Sequence, residues 1–264
     1  RGLRRQAPDA EAADGVAAGG AGPRTLKVAR MLRDKSHRSK ALGAKSKKSR
    51  PDPLVVPRPE YPRPQMVRAE WLNLNGEWEF ELDPGRSGEA RGLAADAPYS
   101  WRIVLPFCPE SRLSGIGERD FMPCVWYRRS FAVSEAWRGR RVLLHFGAAD
   151  YEATVWVNGR LAGRHRGGYT PFSFDVTDLL QAGGNQVAVR VEDDTRDPLQ
   201  PTGKQSMRYE SYGCRYTRTT GIWQTVWLEP VAPVHVRSFR LLPDVGQGLV
   251  TVLVEAAAGG EEVE

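Results

Sequence analysis

The chain is poor in cysteine. It holds three, Cys108, Cys124 and Cys214, in 264 residues. An odd number at wide spacing offers no Cys-x-x-Cys pair and no metal-ligand rhythm. Free thiols, a reducing cytoplasmic compartment and no metal or other cofactor are therefore expected. No run of roughly 18 apolar residues occurs, so no membrane span is expected. The first residues lack the apolar core of a secretory leader. Gly-x-Ser-x-Gly, His-Glu-x-x-His and phosphate-cradling glycine loops are missing too, which removes the commonest hydrolase and nucleotide-binding signatures.

Residues 1–50 lack Phe, Trp and Tyr altogether. They hold 14 of the 38 Lys and Arg but only 4 of the 32 Asp and Glu, a net of +10, so the chain's formal charge of +6 comes from this tail. The remaining 24 basic and 28 acidic residues make the body mildly acidic. A segment with so little apolar surface cannot offset its ordering entropy, and a disordered basic tail is expected. Its KSKKSR cluster (45–50) has no interleaved aromatics on which bases could stack, which argues against nucleic-acid binding. A salt-sensitive adaptor role for the tail is the least favoured reading. Residues 51–64 carry six prolines, and 51–70 reads as an extended lead-in, with ordered structure expected from near Trp71.

The body holds 8 Trp, 8 Tyr and 8 Phe in the chain as a whole, enough for a sizeable core. Helical periodicity is scarce; only 177–181 suggests a short turn. Strands are expected at 78–82, 101–105, 125–133, 141–146, 151–158, 172–175, 186–191 and 222–228. Asn158-Gly159 is a hairpin signal, and Gly183-Gly184-Asn185 is a second turn. Many short strands with glycine-rich connections point to an all-β jelly-roll sandwich. Trp78, Trp126, Trp156 and Trp227 occupy alternating strand positions and are read as inward-looking core residues. Residues 234–242 and 249–257 form two further strands around a PDVGQG turn. Two strands do not make a stable domain, and their apolar Val234, Val236, Leu241, Val250, Val252 and Val254 would invite edge pairing.

Residues 216–230 (YTRTTGIWQTVWLEP) resemble the signature that closes the N-terminal sugar-binding domain of family 2 glycoside hydrolases, the β-galactosidase, β-mannosidase and β-glucuronidase group. Five further segments are similar to that family in the same order: LNGEWEF (74–80), VWYRR (125–129), YEATVWVNG (151–159), HRGGYTPFSFDVTD (165–178) and GNQVAVRVE (184–192). The resemblance implies a galactose-binding-like jelly-roll over 71–230. It also implies the start of an immunoglobulin-like sandwich over 231–264. The function implied is the non-catalytic front of a β-galactosidase-like enzyme that hydrolyses O-glycosidic bonds. Its partners would be a β-glycoside and the remainder of the hydrolase, with its catalytic barrel. An oligomer is compatible with the sequence. The alternative is an autonomous carbohydrate-binding module.

Retaining glycosidases need two carboxyl groups about 5–5.5 Å apart. Glu110, Glu118, Asp120, Asp193, Asp194, Asp197 and Glu210 lie in loop-like places, but none matches the family's barrel motifs. Asp193 and Asp194 are adjacent and face opposite ways on an extended chain. His145, His165 and His235 are scattered. No catalytic residue is expected in this chain. The family lends loops of this domain to the rim of the barrel's active site, and 114–123 and 203–218 are the candidates. Asp120, Lys204, Gln205, Arg215 and Trp223 are the expected rim residues: charged and amide groups pair with vicinal hydroxyls, and an indole borders a sugar face. For Asp120, turn capping is the structural alternative. Some β-galactosidases of the family place an Asp six residues before the motif's glycine. Counting back from Gly221 reaches Arg215, which speaks against a galactose contact there. A cation-rich rim suits an acidic sugar, or pairs with Glu210.

Overall fold

The computed structural model describes residues 26–27 and 56–257. In chain order the strands begin with β1 (Leu26–Lys27), β2 (Leu72–Asn73), β3 (Gly76–Leu82), β4 (Trp101–Leu105) and β5 (Cys124–Ala132). Next come β6 (Arg141–Phe146), β7 (Ala149–Asp150), β8 (Glu152–Val157), β9 (Arg160–Arg166) and β10 (Phe172–Asp175). The last five are β11 (Gly184–Glu192), β12 (Gly221–Ile222), β13 (Val226–Val231), β14 (His235–Asp244) and β15 (Leu249–Ala257). Single 3-10 turns occupy Arg112–Ser114, Glu135–Trp137 and Thr177–Leu179. The described residues divide into one unit of 56–233 and another of 26–27 with 234–257.

The larger unit is an antiparallel sandwich. One sheet runs β4-β3-β5-β11-β8-β9, the other β10-β6-β13-β2, and β7 pairs with β12 in a short third sheet. Alternation decides the inner faces. Val125, Tyr127 and Phe131 of β5, Val187, Val189 and Val191 of β11, and Ala153, Val155 and Val157 of β8 join one core with Leu144 and Phe146 of β6 and Val226 and Leu228 of β13. The intervening residues look outward, and here the tryptophan expectation is corrected. Trp78 lies in the inner core. Trp126 and Trp156 belong to a separate cluster with Leu93, Cys124 and Ala188, on the opposite face of the six-stranded sheet. Their rings stack at 5.2 Å. The 83–99 loop roofs them: Asp83 accepts from the Trp126 indole at 2.9 Å and from Gly88 N–H at 2.7 Å. Burying an indole in this way is worth on the order of 4–6 kcal/mol before ordering costs.

Trp227 also looks outward, and the proline-rich lead-in covers it. Order is expected from near Trp71, but Tyr61, Arg63 and Arg68 of the lead-in are already tied to β13. Glu229 is fully buried and accepts the Tyr61 hydroxyl at 2.6 Å. Arg63 bonds its Oε1, Arg68 pairs with it at 3.2 Å, and His145 Nε2 lies 2.8 Å away. His145 stacks on Trp227 at 4.7 Å, and the Arg63 guanidinium sits over the same indole. Burial works to raise the Glu229 pKa. The His145 and Tyr61 hydrogen bonds and the Arg63 charge overcome it and hold the carboxyl at about 2.

The expected 222–228 strand is in fact two. Gly221–Ile222 pairs with β7 and Val226–Val231 with β6, so the chain changes sheets at 223–225. The β9 strand gave no clear signal, since RLAGRHR is too polar to alternate. In the smaller unit β14 pairs with β15 as the sequence suggests, and the backbone of β1 pairs with Val252 and Thr251 of β15. That pairing falls within the tail expected to be disordered; the rest of 1–50 lies outside the described residues.

Candidate functional site

Register places the loops. Cys124 of β5 pairs with Glu192 of β11, Glu192 with Glu152 of β8, and Glu152 with Arg166 of β9, in one row across the sheet. The segments 106–123, 147–151, 167–171 and 193–220 each adjoin that row at one end. The Arg218 guanidinium, donating to Arg119 O, and Thr220 N–H, donating to Glu110, tie 106–123 to 193–220, and both expected rim segments lie within these two.

The 203–218 segment is a braced loop. Ser206 N–H donates to Tyr216 O at 2.7 Å, and Tyr216 N–H to Lys204 O at 2.8 Å. The Arg218 guanidinium donates to the carbonyls of Ser206, Arg208 and Arg119, joining the two rim segments. Lys204 is exposed. Arg215 is half-buried, its guanidinium donating to Gln205 O at 3.2 Å and Gly203 O at 3.5 Å. Gln205 is buried: its amide donates to Asp150 Oδ2 at 2.7 Å, and its carbonyl accepts from Thr219 N–H at 2.7 Å. Trp223 is half-buried and donates to Gly168 O at 2.9 Å, with Tyr169 against its edge. Lys204, Gln205 and Arg215 therefore share one loop. Asp120 stands apart and exposed on the other segment, its Oδ1 accepting from Phe121 N–H at 2.7 Å.

Behind the 203–218 loop lies a group of buried acids. Glu110 accepts from Thr220 N–H at 3.0 Å. Thr220 Oγ1 donates to Asp193 Oδ2 at 3.2 Å, and Gln200 donates to Asp193 Oδ1 at 2.6 Å. Asp150 is only 1% exposed, and its Oδ1 has no hydrogen-bond partner. Burial raises all three carboxyls. Glu110 reaches about 7 despite its Thr220 contact, Asp150 about 7 with Asp193 adding to the rise, and Asp193 about 6 with Asp194 adding. Asp193 and Asp194 do diverge: Asp194 accepts from Arg196 N–H at 3.1 Å instead. Glu118 bonds its neighbours' backbone N–H groups. Asp150 carried no sequence signal, being a lone acidic residue just ahead of the expected 151–158 strand. Among the described residues no group of three or more His, Cys, Asp and Glu is placed to hold a metal.

Residues 113–228 match the family model described as glycosyl hydrolases family 2, sugar binding domain. The chain is 32% identical over 149 residues to a β-galactosidase of Thermoanaerobacter pseudethanolicus, covering 55% of this chain and 19% of that protein. It is 26% identical over 217 residues to a β-glucuronidase of Paenibacillus borealis, covering 77% and 36% respectively. The fold is similar to that of Ruminococcus gnavus β-glucuronidase, with a TM-score of 0.60 at 22% identity, over 73% of this chain and 34% of that one. The chain thus spans between about a fifth and just over a third of the length of these proteins.

Proposed function

We propose that this chain is the non-catalytic, carbohydrate-facing part of a β-glycosidase, because residues 113–228 match the sugar binding domain of glycosyl hydrolases family 2. The bond-breaking carboxylates would come from a catalytic domain outside this chain, with which its loop end would pack. The observation that carries this reading is the family match itself, which spans both the 114–123 and the 203–218 loops. Asp120, Lys204, Gln205, Arg215 and Trp223 are the proposed rim. Lys204 and Arg215 would hold the anionic group of a uronoside, while Gln205, already engaged with Asp150, would set the loop's position. The Arg at 215, where some β-galactosidases carry Asp, supports an acidic sugar over galactose. Residues 231–264 would begin an immunoglobulin-like sandwich.

Two measurements test this. Antibody capture from the source followed by intact mass should find a species far above 29.4 kDa; a species at that mass would defeat the reading. On the longer form, p-nitrophenyl β-glucuronide should be cleaved in preference to the galactoside, and Arg215→Asp should narrow that preference. This chain alone should cleave neither.

A further inference from the structure

The carboxyls of Glu110, Asp150 and Asp193 have no place in the rim chemistry, yet each is tied to the loop that carries the rim. Asp150 holds Gln205, whose carbonyl in turn holds Thr219 N–H. Glu110 holds Thr220 N–H, and Asp193 holds the Thr220 hydroxyl. Both ends of the 205–220 segment therefore hang from three buried acids on three different elements: the loop after β4, strand β7 and the end of β11. Asp150 adds the independent observation. Its Oδ1 is buried without a partner, and the carboxyl lies where a Cβ on Gly168 would sit. A buried carboxylate with one bare oxygen is costly when ionised and tolerable when protonated.

We propose that Glu110, Asp150 and Asp193 form a proton-operated latch that holds the 203–220 loop against the sandwich at mildly acidic pH and slackens it at alkaline pH. The groups facing the cluster do not neutralise it. Around it stand the Cys108 thiol, the Tyr127 hydroxyl packed on Gly221, the Tyr169 phenol and the Asp194 carboxylate. Arg218 lowers Asp193, and its guanidinium is already committed to three carbonyls. The hydrogen bonds that the three carboxyls accept from the loop favour their ionised forms, but burial outweighs them: once ionised, Asp150 carries a bare buried oxygen and is repelled by Asp193 and Glu110, and opening the loop readmits water. That the latch would tune a sugar-contacting rim rests on the function proposed above; the latch itself does not.

The test therefore uses no sugar. Amide hydrogen exchange by mass spectrometry on the full chain would follow 203–220 peptides at pH 5.5 and 8, as protection relative to β5 peptides. Protection of the loop should fall on the order of tenfold at the higher pH, the span expected as buried acids titrate. Asp150→Asn should abolish most of that fall, and Glu110→Gln and Asp193→Asn give the same readout where Asp150→Asn folds poorly. Asp120→Asn, on the exposed rim, should leave the fall intact. A flat wild-type profile, or a fall unchanged in all three cluster variants, would overturn the latch. Loss of glycoside preference in Arg215→Asp with the fall intact would concern the rim alone.

Discussion

The Tyr61 hydroxyl donates to Glu229 Oε2 at 2.6 Å across a sequence separation of 168 residues. This bond, with Arg63, Arg68 and His145 around the same carboxylate, fastens the proline-rich lead-in over the outer face of β13. Glu229→Gln keeps the shape and removes the charge, leaving two guanidinium groups facing a neutral amide. Removing one partner of a buried ion pair costs about 3–5 kcal/mol. Urea denaturation should show a loss of that size, and exchange of the 56–68 peptides should rise. Unchanged stability would mean that the lead-in is not fastened through Glu229.

Gly221 has φ +74° and packs directly on the Tyr127 hydroxyl. A methyl group there meets both a left-handed backbone and an occupied space. Gly221→Ala should cost about 2–5 kcal/mol, combining the left-handed strain with overpacking. The urea midpoint should drop with an unchanged slope.

Stability should depend on pH in two opposed ways. Asp150, Glu110 and Asp193 are raised in the fold, so between the ordinary carboxylate range and about 6–7 the unfolded chain has released protons that the folded chain still holds. Their contribution therefore declines as pH rises through that window and levels off above it. Glu229 is held at about 2, so its contribution is present above the ordinary range and is lost as pH falls towards 2. For these four groups the two trends meet in the ordinary carboxylate range, and a stability maximum at about pH 4 follows. Asp150→Asn should raise Tm at pH 8 and leave it nearly unchanged at pH 4; an equal shift at both would remove the titration argument.

The three thiols should separate by reactivity. Cys214 is exposed, whereas burial raises the Cys108 and Cys124 thiols to about 12. The nearby Glu110 and Asp83 carboxylates add to those rises. Since the thiolate is the reactive form, Ellman's reagent on the native chain at neutral pH should titrate Cys214 alone, with the other two appearing only in denaturant.

Alternation was enough to reveal most strands, the all-β sandwich and the 234–257 hairpin, because a half-buried strand writes its two faces into every second residue. It could not say which face an indole would find covered. Trp126, Trp156 and Trp227 stand at proper alternating positions, yet they are buried by a loop and a lead-in from far along the chain. Period-two patterning marks a face as apolar without naming its cover. The break at 223–225 was hidden because a change of sheet leaves the local pattern intact. Lys204, Gln205 and Arg215 could be grouped beforehand because they are neighbours in one loop. The Glu110, Asp150 and Asp193 cluster could not, since only the tertiary fold brings acids from two loops and a short strand together, and only their shared exclusion from water makes them a unit.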